Sequence, residues 1–205
     1  MILVTGFEPF GGEARNPSWD AVEALGDEVA GQRIEKLRLP VVYGECFVPV
    51  RAAMEKAGTE CRAVLCVGQA GGRAAVTPEA IGINRLHHAP QENPGGTVTY
   101  APIIEGGPAA YFSTFPSEAM VRRMLAAQVP AAPSFHAGTY VCNNLLYLLM
   151  HEIESKGLPV LGGFVHVPFS TEQACRKASP PASLPLQVIT EGLRLCLEEM
   201  ALALR

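Results

Sequence analysis

The 205-residue sequence has no block of basic residues, no long apolar run and no C-x-x-C pair, and each absence removes a class of function. Sixteen Lys plus Arg against twenty Asp plus Glu leave a net charge of −4, which argues against nucleic acid as the principal partner. Apolar runs fall short of the ~18 residues that a membrane span needs, and the brief apolar opening, without a basic flank, does not read as a secretion signal. A soluble, unexported, cytoplasmic chain with no membrane partner is expected. Cys46, Cys61, Cys66, Cys142, Cys175 and Cys196 are not spaced as a zinc knuckle or a disulfide framework, so free thiols are expected. Of the histidines only His87 and His88 are neighbours. No Cys or carboxylate is spaced to complete a metal shell with them, and they read as loop residues. The stretch Gly6-Phe7-Glu8-Pro9-Phe10-Gly11-Gly12 lacks the order of a dinucleotide fingerprint, and no Lys-Ser or Lys-Thr pair follows it for a phosphate loop.

With 48% hydrophobic and 18% charged residues, the sequence can bury a sizeable core, and its length suits one domain spanning residues 1–205. There is no internal repeat or linker, and the Pro/Ser-rich stretch 178–185 is too short to divide domains. Buried strands are expected at 1–5, 33–39, 63–68 and 160–167, with a further one near 134–137. Helices are expected from Asn16-Pro17 to Gly26, up to Ala57-Gly58 with Pro49 near the start, and over 117–128, 142–156 and 186–205. Residues 69–116, rich in Gly, Pro and Asn, read as an irregular excursion with a short strand near 97–100. Strands alternating with helices at this rhythm imply a three-layer α/β/α sandwich around a mostly parallel twisted sheet.

In open α/β sheets, ligands bind beyond the carboxyl ends of the strands. Three chemically capable residues fall there. Cys142 lies at the start of its helix, where free N–H groups and the helix dipole favour a thiolate. His166 ends a strand, and Glu79 lies in the loop after the third strand. Nucleophilic acyl transfer needs these three residue types: a sulfur to attack, an acid/base, and a carboxylate that fixes the imidazole tautomer. Spacing alone leaves open that Cys142 is a small core residue and His166 a structural one. Phe7 and Phe10 either wall a small apolar pocket or are core aromatics at a corner.

Four segments, TGFEPFGG with NPSW, VGQAGGR with TPE, AGTYVCN and GGFVHVPF, together resemble the pyroglutamyl-peptidase I family (pyrrolidone-carboxylate peptidases) almost from end to end. That resemblance implies a cysteine peptidase that removes N-terminal pyroglutamate, an α/β/α fold, a cytoplasmic setting and a homotetramer, without metal or organic cofactor. Its triad maps onto Glu79, Cys142 and His166. It also implies substrate contacts at Phe7, Phe10, Asn16, Gln69, Tyr140 and Val141, with the two phenyl rings flanking the pyrrolidone ring and the Gln69 backbone near the lactam. Departures cluster after the TPE segment. Ala80 stands where Arg is common, and His88-Ala89-Pro90-Gln91-Glu92-Asn93 replaces an A-R-I-P-D-N-like run; Asn144 stands where many members have His. The missing Arg is expected to weaken electrostatic support near the oxyanion, and Pro90 has no N–H to donate. An active enzyme with an altered loop is expected. The alternatives are a weakened or differently selective pyroglutamyl-peptide-binding protein of the same fold, and another enzyme on a related scaffold, such as a nucleoside phosphorylase or hydrolase.

Overall fold

A computed structural model describes residues 1–88 and 99–205. In chain order the elements are β1 (Ile2–Phe7), α1 (Pro17–Glu23), β2 (Glu28–Val29), β3 (Gln32–Leu39), α2 (Val48–Ala57), β4 (Ala63–Gln69), β5 (Thr77–Glu79), β6 (Ile81–Ile83), β7 (Leu86–His88), β8 (Thr99–Ala101), β9 (Ala110–Phe112), α3 (Ser117–Ala126), α4 (Val141–Ser155), β10 (Leu161–Val167), β11 (Phe169–Ser170), α5 (Thr171–Ala174), β12 (Ser183–Leu184) and α6 (Leu186–Ala203). Six strands form the central sheet in the order β2-β3-β1-β4-β10-β5. The inner four run parallel, and short antiparallel strands close both edges. The chain runs from β1 to β3 on one side and then from β3 back past β1 to β4 on the other, so the strand order reverses at β1 and a crevice opens beyond the ends of β1 and β4.

Side chains alternate between the two faces of each strand, and both faces are covered. Ile2, Val4, Leu65 and Val165 pack into a core with α1, α3 and α6, whereas Leu3, Val64, Cys66 and Phe164 pack into a second core with α2 and α4. This is the α/β/α sandwich that the sequence implied. Within α4, Leu145, Leu146 and Leu149 are fully buried, each contributing about 1.5–3 kcal/mol by removal from water. Helix α1 starts where Asn16 Oδ1 accepts from Ser18 N at 3.0 Å, with Pro17 at the first helical position. Gly6 lets that start dock on β1, because a β-carbon there would lie 2.7 Å from the Trp19 backbone.

The excursion 69–116 is more regular than expected. It supplies β5 to the sheet and two small antiparallel pairs, β6-β9 and β7-β8, and His87 and His88 belong to β7 rather than to a loop. Each strand is three residues long and its partner distant in sequence, so local periodicity carries no signal of it. The strand expected near 97–100 is β8, of which Thr99 and Tyr100 are described; Thr97 and Val98 lie outside the described residues, as do Ala89 and Pro90. Residues 134–137 do not form a strand. Ser134 makes an isolated bridge to Glu79 and accepts from Ala80 N at 2.7 Å, and Pro130 and Pro133 each lack the N–H that a longer ladder needs.

Candidate active site

A cavity of about 520 Å³ lies beyond the carboxyl ends of β1, β4 and β10, with Phe7, Gln69, Cys142 and His166 in its wall. His166, next to last in β10, is buried, and its Nδ1 lies 2.7 Å from Glu79 Oε1. Glu79 was expected in a loop. It is instead the fully buried last residue of β5, which runs antiparallel to β10 with Glu79 opposite Phe164. Strand pairing therefore fixes the carboxylate against the imidazole. Holding Nδ1 in this way leaves Nε2 as the nitrogen free for chemistry.

Cys142 reaches the same place from α4. Register pairs His166 with Gly68 across β10 and β4, and the Cys142 sulfur lies directly over Gly68, where a β-carbon would come within 2.9 Å of Sγ and 2.6 Å of the Phe164 ring. The thiol thus stands above the strand next to His166. The first backbone bond of α4 runs from Asn144 N to Tyr140 O, so the N–H groups of Val141, Cys142 and Asn143 have no acceptor within the helix. They form a donor cluster at the sulfur. Gly68→Ala should lower kcat/KM by roughly 10²-fold through displacement of the sulfur, with a stability cost of about 1–3 kcal/mol from the crowded phenyl ring. Paired kinetics and denaturant melts check this; a variant with wild-type kcat/KM would show that the sulfur's place over Gly68 does not matter.

The electrostatics differ from the sequence-based expectation of a resting thiolate. Burial pushes the Cys142 thiol up to about 12, with Cys46 and Glu79 adding to the rise and Arg73 opposing it. Cys142 is partly accessible from the cavity, which tempers the desolvation without reversing its sign. The helix N-terminus offers an anion about 0.3–1 kcal/mol, less than one pKa unit. Burial also pulls the His166 imidazole below its ordinary value, although Glu79 opposes this. Burial therefore works against the charged form of both the thiol and the imidazole. Glu79 stays ionised below the usual carboxylate range: burial pushes it up, and contacts with His166, Ser134 and Arg73 outweigh that.

Arg73 is the residue that sequence reasoning undervalued. Its Nη1 lies 2.6 Å from Glu79 Oε1 and also donates to Thr77 Oγ1, and its Nη2 donates to His136 O at 3.1 Å. The signal available was the Gly71-Gly72 turn just before Arg73, itself six residues before the carboxylate, which folds the chain back on itself. Ala80, by contrast, is not among the cavity's lining residues. It lines a separate depression with Pro78 and Phe135, and the cation beside Glu79 and His166 is Arg73. Asn144 is explained as well. Its Oδ1 accepts from Gly44 N at 2.8 Å and ties the loop before α2 to α4.

The other expected contacts also lie on the cavity wall: Phe10 on its open rim, Asn16, Gln69, Tyr140 and Val141. Asn16 Nδ2 donates to Glu8 O at 3.0 Å and its Oδ1 caps α1, so that carboxamide is engaged within the protein. Tyr140 sets its ring 5.1 Å from that of His87, joining β7 to the start of α4.

The pyroglutamyl peptidase family model matches residues 1–202. The pyrrolidone-carboxylate peptidase of Thermococcus kodakarensis is 44% identical over 199 residues, covering 96% of this chain and 94% of that protein. The same-named protein of Coprothermobacter proteolyticus is 44% identical over 201 residues, covering 98% of this chain and 96% of its own length. The crystal structure of pyroglutamyl peptidase I from Bacillus amyloliquefaciens superposes with a TM-score of 0.87 at 40% identity, covering 98% of this chain and 94% of that one. A mutant pyrrolidone carboxyl peptidase from Pyrococcus furiosus gives a TM-score of 0.91 at 33% identity over 100% and 99% of the two chains. With a fold, a length and a family model all shared from end to end, the chain belongs to the pyroglutamyl peptidase family of peptide-bond hydrolases.

Proposed function

We propose that this enzyme releases N-terminal pyroglutamate from peptides through a thioester on Cys142, with His166 as acid and base and Glu79 as its orienting carboxylate. The observation that carries the reading is the 2.7 Å contact between Glu79 and His166, made next to the strand over which the Cys142 sulfur lies. Pyroglutamate is uncharged, so its ring suits an apolar slot between Phe7 and Phe10. An ordinary amino terminus would bring in an ammonium without a partner, and burying it is costly.

As the Cys142 sulfur attacks the scissile carbonyl, its proton passes to His166 Nε2. The carbonyl oxygen becomes an oxyanion facing the N–H groups that begin α4. Collapse breaks the C–N bond, the leaving amine takes the proton from His166, and the acyl group remains on sulfur. Water then gives a proton to the same imidazole and attacks the thioester. Collapse releases pyroglutamate, and the sulfur recovers its proton. Glu79 stabilises the imidazolium in both halves of the cycle. The reading also takes residues 1–205 as one catalytic domain acting on peptides, as a cytoplasmic homotetramer.

Turnover of pyroglutamyl anilide beside prolyl and alanyl anilides tests this specificity; rapid release from the first alone is expected, and equal rates on all three would refute it. Because the mechanism starts from neutral imidazole, kcat/KM should rise with pH through a midpoint below the ordinary histidine value of about 6.5 and stay level through neutrality. Stability should follow in the same direction. Below about 6.5 the unfolded chain takes up the His166 proton before the folded one, and below about 4.5 it does the same for Glu79, so acidification weakens the fold in both windows. A rate profile with its acid midpoint above 6.5 would contradict a mechanism that starts from neutral imidazole.

A further inference from the structure

The start of α4 is clamped by residues 83–87, and the clamp closes on the donors beside the sulfur. Asn143, fully buried, turns its carboxamide onto that segment: Oδ1 accepts from Ile83 N at 2.9 Å, and Nδ2 donates to Ile83 O at 2.9 Å and to Arg85 O at 3.0 Å. On the other side of Cys142, His87 N donates to Thr139 O at 3.0 Å, and Tyr43 Oη holds His87 in turn by donating to its O at 2.7 Å. The His87 ring lies 5.2 Å from that of Tyr100 and 5.1 Å from that of Tyr140. Its Nε2 is buried and has no hydrogen-bond partner among the described residues, so aromatic packing sets the place of the ring. Tyr140 is thus held twice, through the carbonyl before it and through its ring. It is the extended residue just before α4, and its ψ sets the plane of the peptide that carries the Val141 N–H.

We infer that His87 is a positioning residue for the proposed hydrolysis, holding Tyr140 so that the N–H groups opening α4 meet the oxyanion. The inference rests on the proposed function and adds to it a residue that does not line the cavity. Within the helix, the peptide joining Tyr140 to Val141 is tethered at one end only, by the 3.0 Å bond from Asn144 N to Tyr140 O. A plane tethered at one end can rock. Among the described residues the Tyr140 ring meets no aromatic ring but that of His87, and this packing removes the remaining freedom. An oxyanion is stabilised by donors already in place when its charge develops, so a misdirected N–H costs rate more than it costs ground-state affinity.

The test compares two ligands of the slot between Phe7 and Phe10. 2-Pyrrolidone is the bare lactam, without a carbonyl for the sulfur to attack. The aldehyde analogue of pyroglutamate takes up the Cys142 S–H across its C=O, sulfur bonding to carbon and the proton passing to oxygen, and so sets an oxygen at the α4 donors. His87→Ala should weaken inhibition by the aldehyde about tenfold and leave 2-pyrrolidone affinity, read by NMR titration, within about twofold. In pyroglutamyl anilide kinetics the loss should fall about tenfold on kcat, with KM within about twofold. His87→Phe keeps a flat ring and gives up a buried nitrogen that has no partner, so it should recover to within about threefold of wild type in each measurement. If His87→Ala does not fold, Tyr100→Ala loosens the same packing from its exposed outer side and should give the same split at about threefold. Equal losses for the two ligands would make His87 a general support of the cavity and overturn the inference, as would wild-type kcat in His87→Ala or a His87→Phe enzyme as slow as His87→Ala. Should the wild type bind the aldehyde and leave pyroglutamyl anilide intact, the proposed hydrolysis fails while the two affinities still decide the part played by His87.

Discussion

Cys142→Ala is expected to lower turnover of pyroglutamyl anilide by roughly 10⁵–10⁶-fold while the fold persists. The sulfur is the only protein atom of the proposed mechanism that bonds to substrate, and neither the oxyanion donors nor the ring pocket can substitute for it. Its removal costs the fold little, because the thiol lies at the cavity wall over Gly68 and not within either core. Parallel measurement of kcat/KM and of the thermal midpoint checks both halves. A variant that keeps more than about a hundredth of wild-type activity would place the nucleophile elsewhere. Cys66, fully buried in the second core and not on the cavity wall, is not a credible substitute.

Glu79→Gln is expected to cost roughly 10³–10⁴-fold in kcat/KM. The carboxamide nearly matches the carboxylate in shape, so position is preserved and charge is lost. Two effects then combine. The imidazolium that forms when the thiol gives up its proton loses its counter-charge in a buried setting, and an NH₂ turned toward Nδ1 would favour the wrong tautomer. The Arg73 guanidinium also loses its carboxylate at 2.6 Å, and its charge then works against protonation of His166. The loss should appear mainly in kcat, since Glu79 is not among the residues that line the cavity. An activity within tenfold of wild type would reduce Glu79 to a structural partner of Arg73.

Much of this site could be read before any coordinates. Three apolar segments followed by Gly, Gln or Pro mark β1, β4 and β10, and a binding crevice at their carboxyl ends follows from the parallel arrangement itself. Cys142 and His166 were legible because each sits at an element boundary with a local signal. Glu79 was legible as a residue but not as a strand: Thr77–Glu79 is short, contains Pro78, and becomes β5 only by pairing with a segment 85 or more residues away. The electrostatic surroundings of the sulfur escape the sequence for a different reason. A helix N-terminus is a local feature and argues for the anion, whereas desolvation depends on everything packed around the sulfur and has the larger effect.

The most direct test of the central claim is an acid quench of the enzyme during turnover of an activated pyroglutamyl ester, followed by peptide mapping. The mechanism predicts one pyroglutamyl group, labile to hydroxylamine, on the peptide that carries Cys142, and its accumulation when deacylation is slowed. A productive enzyme whose quenched Cys142 peptide carries no acyl group, or whose acyl group lies on another residue, would contradict it.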